Sequence, residues 1–166
     1  AGKTYSQLSP TLRRKFDKFV INIVYLEDSR EPEVSVLFSR MQMGVRLTPP
    51  ELRNAIQSGL RHAIDGLARE HPFFKLSKIS AARYKHQDYL AHAVSLCMHD
   101  CKNDLKAPQL MKDYQETKDP SAYATIISAA YDILDFLVKI NNKSSGRIKQ
   151  KWMFVDLFYV LYRSEK

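Results

Sequence analysis

The chain reads as a mainly α protein, an irregular multi-helix bundle with one N-terminal β-strand. Three observations predict this. Apolar residues recur at three- and four-residue spacing over most of the length after Val34, and start and stop signals punctuate that spacing; only Phe19 to Leu26 has a strand's β-branched, period-two pattern. The expected organisation is one helical domain or subdomain over residues 1–166, with a strand-bearing entry segment (1–31) and a helical bundle (32–166).

Taken in order, Ser9 and Pro10 open a short helix through Arg13, Arg14 and Lys15, the serine as cap and the proline in the first turn. In the strand, Phe19, Ile21, Ile23 and Tyr25 alternate with Val20, Asn22, Val24 and Leu26, so both faces are largely apolar. A lone strand leaves its backbone groups unpaired, which implies a partner strand or a missing N-terminal segment. Val34, Leu37, Phe38 and Met41 then fall at helical spacing, and Gly44 ends that helix. Thr48, Pro49, Pro50 and Glu51 start the next one, with Thr48 and Glu51 three residues apart as a capping box.

Leu60, Ala63, Ile64 and Leu67 extend a helical stripe to about Glu70, where His71 and Pro72 stop it, and Phe73, Phe74 and Leu76 form an apolar plug. Tyr84, Tyr89, Ala93, Leu96 and Cys97 mark a helix within 81–100. Pro108 starts a short helix with Leu110, Met111 and Tyr114 inward, and Asp119 and Pro120 cap a longer one along Tyr123, Ile126, Ile127, Ala130, Leu134 and Leu137. The polar stretch 141–151 is a basic connector. The final helix, Trp152 to Arg163, is apolar on almost every side, which places it at the centre of the bundle or under a further domain.

A chain of 166 residues with 45% hydrophobic and 11% aromatic residues is large enough to bury a core without disulfides. Its two cysteines make no disulfide framework, so a reducing cytoplasm is the expected setting. No wholly apolar run reaches the roughly 20 residues that span a bilayer, and AGKTYSQLS lacks a signal peptide's apolar centre, so no membrane partner is expected. The formal charge of +8 suits a polyanion such as DNA, because lysine and arginine release counterions from phosphates.

The string FSRMQMGVRLTPPELRNAI resembles the segment F-x-R-[LIM]-N-x-G-G-x-x-L-[ST]-x-x-E-[LI]-R-N-A of the ParB-like domain family at the front of GmrSD-type, modification-dependent restriction endonucleases. Phe38, Arg40, Met41, Gly44, Leu47, Thr48, Glu51, Leu52, Arg53, Asn54 and Ala55 stand where that signature expects them; Gln42 replaces its asparagine, and its glycine pair is reduced to Gly44. Upstream, GKTYSQLSPTLRRKF and the strand after it are similar to the family's entry segment, and RYKHQDYLAHAVSL, YDILDFLVKI and FVDLFYVLYR are similar to its later helices. The family's D-G-x-Q-R motif, linked to nucleotide chemistry, and its His-Asn-His nuclease domain do not occur in these residues. The resemblance therefore implies the C-terminal helical part of such a domain, with no cofactor of its own, and a nucleoside triphosphate and divalent metal for the parent protein.

His92, Cys97, His99 and Cys101 have metal-ligand chemistry, but at about 100° per residue they cannot all converge from one helix, so buried or idle side chains are the stronger reading. Asp88 beside Arg83 and His86 suits a helix-surface ion pair better than an acid–base group. Gly44 stands alone, without a phosphate-binding loop around it. The cluster Arg40, Gln42, Arg46, Glu51 and Asn54 has two readings: a capping box and ion pair that fix the bend, or one half of a split site that meets a nucleotide or DNA phosphate.

Three functions follow. In the first the chain completes a nucleotide- or DNA-responsive site of a defence protein and is not catalytic alone. In the second it is a non-enzymatic DNA-binding module whose basic surfaces are Arg13, Arg14 and Lys15, and Arg147, Lys149 and Lys151. The third is a protein-interaction module that docks through its strand and final helix.

Overall fold

A computed structural model describes residues 4–21, 23, 25, 27, 33–34, 37, 47–143 and 148–164. Among them the regular structure is helical throughout, eight α-helices and two 3-10 turns with no strand. The chain divides into two units, Ala1–Gly44 and Val45–Lys166.

In the first unit a 3-10 turn, Tyr5–Gln7, precedes helix α1, Pro10–Asp17, which starts as its residues dictate: Ser9 caps it by accepting from the Leu12 amide, and Pro10 fills the first turn. The Tyr5 hydroxyl donates to both carboxylate oxygens of Asp17, at 2.9 and 3.1 Å, and ties the turn to the end of α1. The strand expected from Phe19 to Leu26 is not formed at Phe19, Val20, Ile21, Ile23 or Tyr25, while Asn22, Val24 and Leu26 lie outside the described residues. The physical reason is the one that pairing demands: a strand exists only with a second strand to complete its hydrogen bonds, and none occurs among the described residues. Of the helix expected after it, Glu33, Val34 and Leu37 are helical, and Phe38, Met41 and Gly44 are not described.

The second unit is the bundle. It comprises α2 (Pro49–Asn54), α3 (Gly59–Glu70), α4 (Pro72–Leu76), a 3-10 turn (Ala82–Tyr84), α5 (Lys85–Met98), α6 (Ala107–Glu116), α7 (Ser121–Lys143) and α8 (Lys151–Ser164). Helix α5 is its axis and packs against α2, α3, α6, α7 and α8. The six consecutive residues Leu90 to Ser95 are all buried, as required of a helix surrounded on every side. The core joins Leu60, Ile64 and Leu67 of α3, Leu90, Ala93 and Val94 of α5, Ala130, Ile133, Leu134 and Leu137 of α7, and Phe154, Val155 and Phe158 of α8. Phe73 and Phe74 meet edge to face, with ring centroids 5.2 Å apart, and Phe73 stacks on toward Phe154 at 5.5 Å.

Several expectations change in detail. The apolar plug is a five-residue helix that buries Phe73 and Phe74 but leaves Leu76 exposed, because its short turn points only one side inward. Helix α8 is not central: Phe154, Val155, Phe158 and Tyr162 are buried, while Trp152, Met153 and Val160 are exposed. By length and mean hydropathy, 1.3, α7 is long and apolar enough to cross a bilayer although charged residues interrupt it; its apolar stripe is spent inside the bundle.

Candidate functional site

Helix α2 is held at both ends. The Glu51 carboxylate accepts from the Thr48 amide and the Thr48 hydroxyl, each at 2.7 Å, which closes the expected capping box. The same carboxylate takes a two-pronged hydrogen bond from Arg83, at 3.1 Å from Nε and 2.9 Å from the terminal nitrogen. Arg83 and Tyr84 both have left-handed backbone, φ 55° and 58°, a conformation that costs a side chain about 1 kcal/mol or more and that turns the chain sharply into α5. The turn delivers Arg83 to Glu51. The guanidinium, with Thr48 behind it, holds the Glu51 carboxyl down to about 2.

One turn into α5 lies Asp88. One of its oxygens accepts from Arg53 at the end of α2, and the other from the Lys151 ammonium at the start of α8, 3.3 Å away. Arg53 is 2% exposed and lies over the Tyr114 ring of α6, its guanidinium carbon 5.9 Å from the centroid. Burial raises the Tyr114 phenol well above its ordinary value. His92, one turn beyond Asp88, faces that residue's backbone carbonyl with Nδ1 at 2.7 Å, which makes Nδ1 the protonated nitrogen. Its Nε2 then accepts from Lys151, at 3.2 Å. Burial holds the imidazole below its ordinary pKa, Lys151 and Arg53 act the same way, and Asp88 opposes them. The buried Arg53, the half-buried Lys151 and the Asp88 carboxylate thus complete one another across α2, α5 and α8.

Above this network opens a cleft of about 480 Å³. Thr48, Pro49 and Pro50 of the α2 start, Arg83 and Lys85 at the α5 start, Ala107 at the α6 start, and Lys151 and Trp152 at the α8 start all line it, together with Arg53, Asp88, His92, Leu105 and Leu110. The first turns of four helices therefore meet at one hollow. A first turn carries free amides and the positive end of the helix dipole, a setting that favours anions. Lysines stand at three of these four starts: Lys85 and Lys151 are the first residues of α5 and α8, and Lys106 precedes α6, while the first turns of α2 and α5 carry Glu51 and Asp88. Neither α5 nor α6 has a side-chain cap. Four cations line the cleft against the single carboxylate of Asp88.

The residues singled out from the sequence divide accordingly. Arg40, Gln42, Arg46 and Arg147 lie outside the described residues. Glu51 fixes the bend, and Asn54 borders a space of about 10 Å³ behind Arg53, room for at most one water. In the first unit Arg13 reaches back to the Ser6 carbonyl and covers the Tyr5 ring, with Arg14 and Lys15 exposed. Lys149 is exposed and its carbonyl accepts from the Tyr89 hydroxyl at 3.0 Å, whereas Lys151, expected on an open basic surface, is half-buried because Asp88 draws it inward. Asp88 itself is no surface partner of Arg83 or His86. Arg83 takes Glu51, and His86 meets the Ile79 carbonyl at 2.9 Å.

His99 goes elsewhere too, to the buried Asp113, at 2.8 Å, which also accepts from Ser95 at 2.6 Å and Gln109 at 2.9 Å. Among the described residues no three His, Cys, Asp or Glu side chains converge as a metal site. Sequence reading missed Asp88, Arg53 and His92 as one network and Lys85 and Trp152 as cleft walls. The legible signal was a lysine at two helix starts, where acidic residues are the stabilising choice. In comparison with known proteins, no family model, curated protein or solved structure matches the chain.

Proposed function

We propose that this chain is the helical portion of a ParB-like, GmrSD-type defence protein, which contributes a nucleotide- or DNA-responsive site and is not catalytic alone. The observation that supports this reading is that α2, which bears the T-P-P-E-L-R-N part of the family-like string, forms one wall of the cation-lined cleft. Phosphate oxygens suit that lining, since arginine and lysine donors and helix starts are their usual partners. Asp88 is a poor general base here because both of its oxygens are already engaged by cations. The nucleoside triphosphate and divalent metal implied for the parent protein belong, in this reading, to the D-G-x-Q-R segment, and the setting is the cytoplasm.

Binding of a labelled 20-base-pair duplex and of a nucleoside triphosphate, each followed against salt, tests it. Three to four phosphate contacts weaken duplex affinity about 40- to 150-fold between 50 and 200 mM salt, and Lys85→Glu abolishes binding of whichever ligand uses the cleft. Salt-independent binding, or none of either ligand, removes the proposal.

A second reading, the protein-interaction module, draws on the exposure of Phe16, Phe19, Val20, Ile21, Ile23 and Tyr25, each 64 to 83% exposed. So many apolar side chains in one stretch favour pairing with a strand of another polypeptide, of which a second copy is the simplest. Self-association in light scattering that Ile21→Asp abolishes supports that reading; a monomer at about 100 µM, well above useful affinities, counts against it.

A further inference from the structure

We propose that a second groove, formed by α3, α4, the segment 77–81 and the turn into α5, docks a short acidic peptide segment of a partner protein. The groove measures about 690 Å³ and has only Arg83 in common with the cation-lined cleft, so it is a separate surface.

Charge comes first. Arg69 of α3, Lys75 of α4 and Arg83 of the turn line the groove, and among the described residues no carboxylate does. The carboxylates that pair with the two arginines lie behind them: the side chains of Asp65 and Glu51 are 14 and 19% exposed, against 68 and 47% for Arg69 and Arg83. The groove therefore presents the cationic side of each pair. Arg69 gives only its Nε to Asp65, and Lys75 pairs with no described residue. So small a surplus suits the one or two carboxylates of a peptide. A nucleic-acid backbone, with a charge about every 1.7 Å, calls for a stripe of unmatched cations.

The floor adds shape. Phe74 and Ile79 are buried beneath it, and the His86 ring lies over Phe74 with centroids 4.8 Å apart while its Nε2 donates to the Ile79 carbonyl at 2.9 Å. These contacts hold the wall in place before any partner arrives, which lowers the ordering cost of binding. Half-buried Tyr84 and exposed Ala81 extend the apolar surface.

Hydrogen-bond direction selects a peptide. With its proton on Nε2, the neutral His86 ring has Nδ1 as an acceptor. The Gln87 side-chain nitrogen donates to Asp65 at 3.0 Å, which leaves its oxygen as a second acceptor. Neither atom bonds to a described residue. Acceptors so placed suit the N–H groups of a peptide backbone and repel phosphate oxygens. Cations for carboxylates, acceptors for amides and an apolar floor together match an acidic peptide with an apolar anchor.

The full chain is panned with a displayed library of random dodecapeptides, and the double variant Arg69→Gln/Lys75→Glu serves as counter-selection. Both residues are exposed, so the variant is expected to keep its helical circular dichroism. The expected yield is peptides with two or more acidic residues beside an apolar one, retained by the native chain and lost on the variant. The tightest of them, followed by fluorescence anisotropy, is expected to bind Arg69→Gln, Lys75→Glu and Ala81→Trp each about tenfold more weakly or worse. Ala81→Trp fills the groove without removing a charge, and the φ of −75° at that exposed position accepts any side chain. Recovered peptides without acidic residues, or acidic ones that bind Ala81→Trp as tightly as the native chain, overturn the proposal. A DNA duplex that displaces the peptide, and whose own binding is lost in Ala81→Trp, overturns it as well, because the groove is then a general polyanion site. No enrichment over the double variant removes it outright.

Discussion

Arg53 and Asp88 are 35 residues apart in the chain, and neither could remain where it is without the other. A guanidinium with 2% of its surface exposed has lost nearly all its water, and the Asp88 carboxylate and the Tyr114 ring stand in for it. Arg53→Met leaves Asp88 with Lys151 alone, and Asp88→Leu leaves two cations facing each other. Each is expected to cost about 3–5 kcal/mol in urea unfolding, and the double variant far less than their sum. Additive losses would show that the pair is not coupled.

Glu51 is a local counterpart, readable because the capping box spans only Thr48 to Glu51; its Arg83 partner, 32 residues away, was not. Its folded pKa of about 2 lies below the unfolded value of 4.5. The stability it contributes is therefore present above pH 4.5 and is lost as the pH falls toward 2. Glu51→Gln should lose stability at neutral pH and show a flatter pH profile between 4.5 and 2, measured as the unfolding midpoint.

Helix ends were legible at the scale of the element because each is a local negotiation between one or two side chains and the backbone. Ser9 accepts from the Leu12 amide to start α1, and Asp119 accepts from the Ser121 amide at 2.9 Å to start α7. Which faces those helices use was less legible. Gly59, the first residue of α3, is one instance: a Cβ there would collide with the Tyr123 hydroxyl of α7, although its φ needs no glycine. Gly59→Ala is expected to destabilise by about 1–3 kcal/mol, as overpacking does. Tyr123→Phe should restore most of that loss, since the next atom, Cζ, lies at an ordinary 3.6 Å. Thermal unfolding of the single and double variants decides this, and a loss in Gly59→Ala that Tyr123→Phe does not relieve would point away from the hydroxyl. Helix α8 illustrates the same limit, because a helix apolar on most sides has no periodic signal to say which side is buried.

At the scale of the whole molecule, every buried residue among the described ones lies in the unit Val45–Lys166, from Arg53 to Tyr162. A unit with its own core can fold by itself. The fragment 47–164 is therefore expected to keep its helical circular dichroism and to melt within about 2 °C of the full chain, a difference below 1 kcal/mol. A molten fragment would assign part of the stability to the first 46 residues.

The sequence by itself determined that the protein is mainly helical, where most helices start and stop, and that α2 opens with a capping box, because spacing and caps act within a few residues. It also carried the resemblance and the net positive charge. Only the tertiary structure decided that Asp88 belongs to Arg53 and Lys151, that His92 and His99 part company, and that four helix starts meet at one cleft. Those outcomes depend on contacts between residues 14 to 63 positions apart, and such contacts are chosen by the packing of helices around α5 rather than by any local pattern.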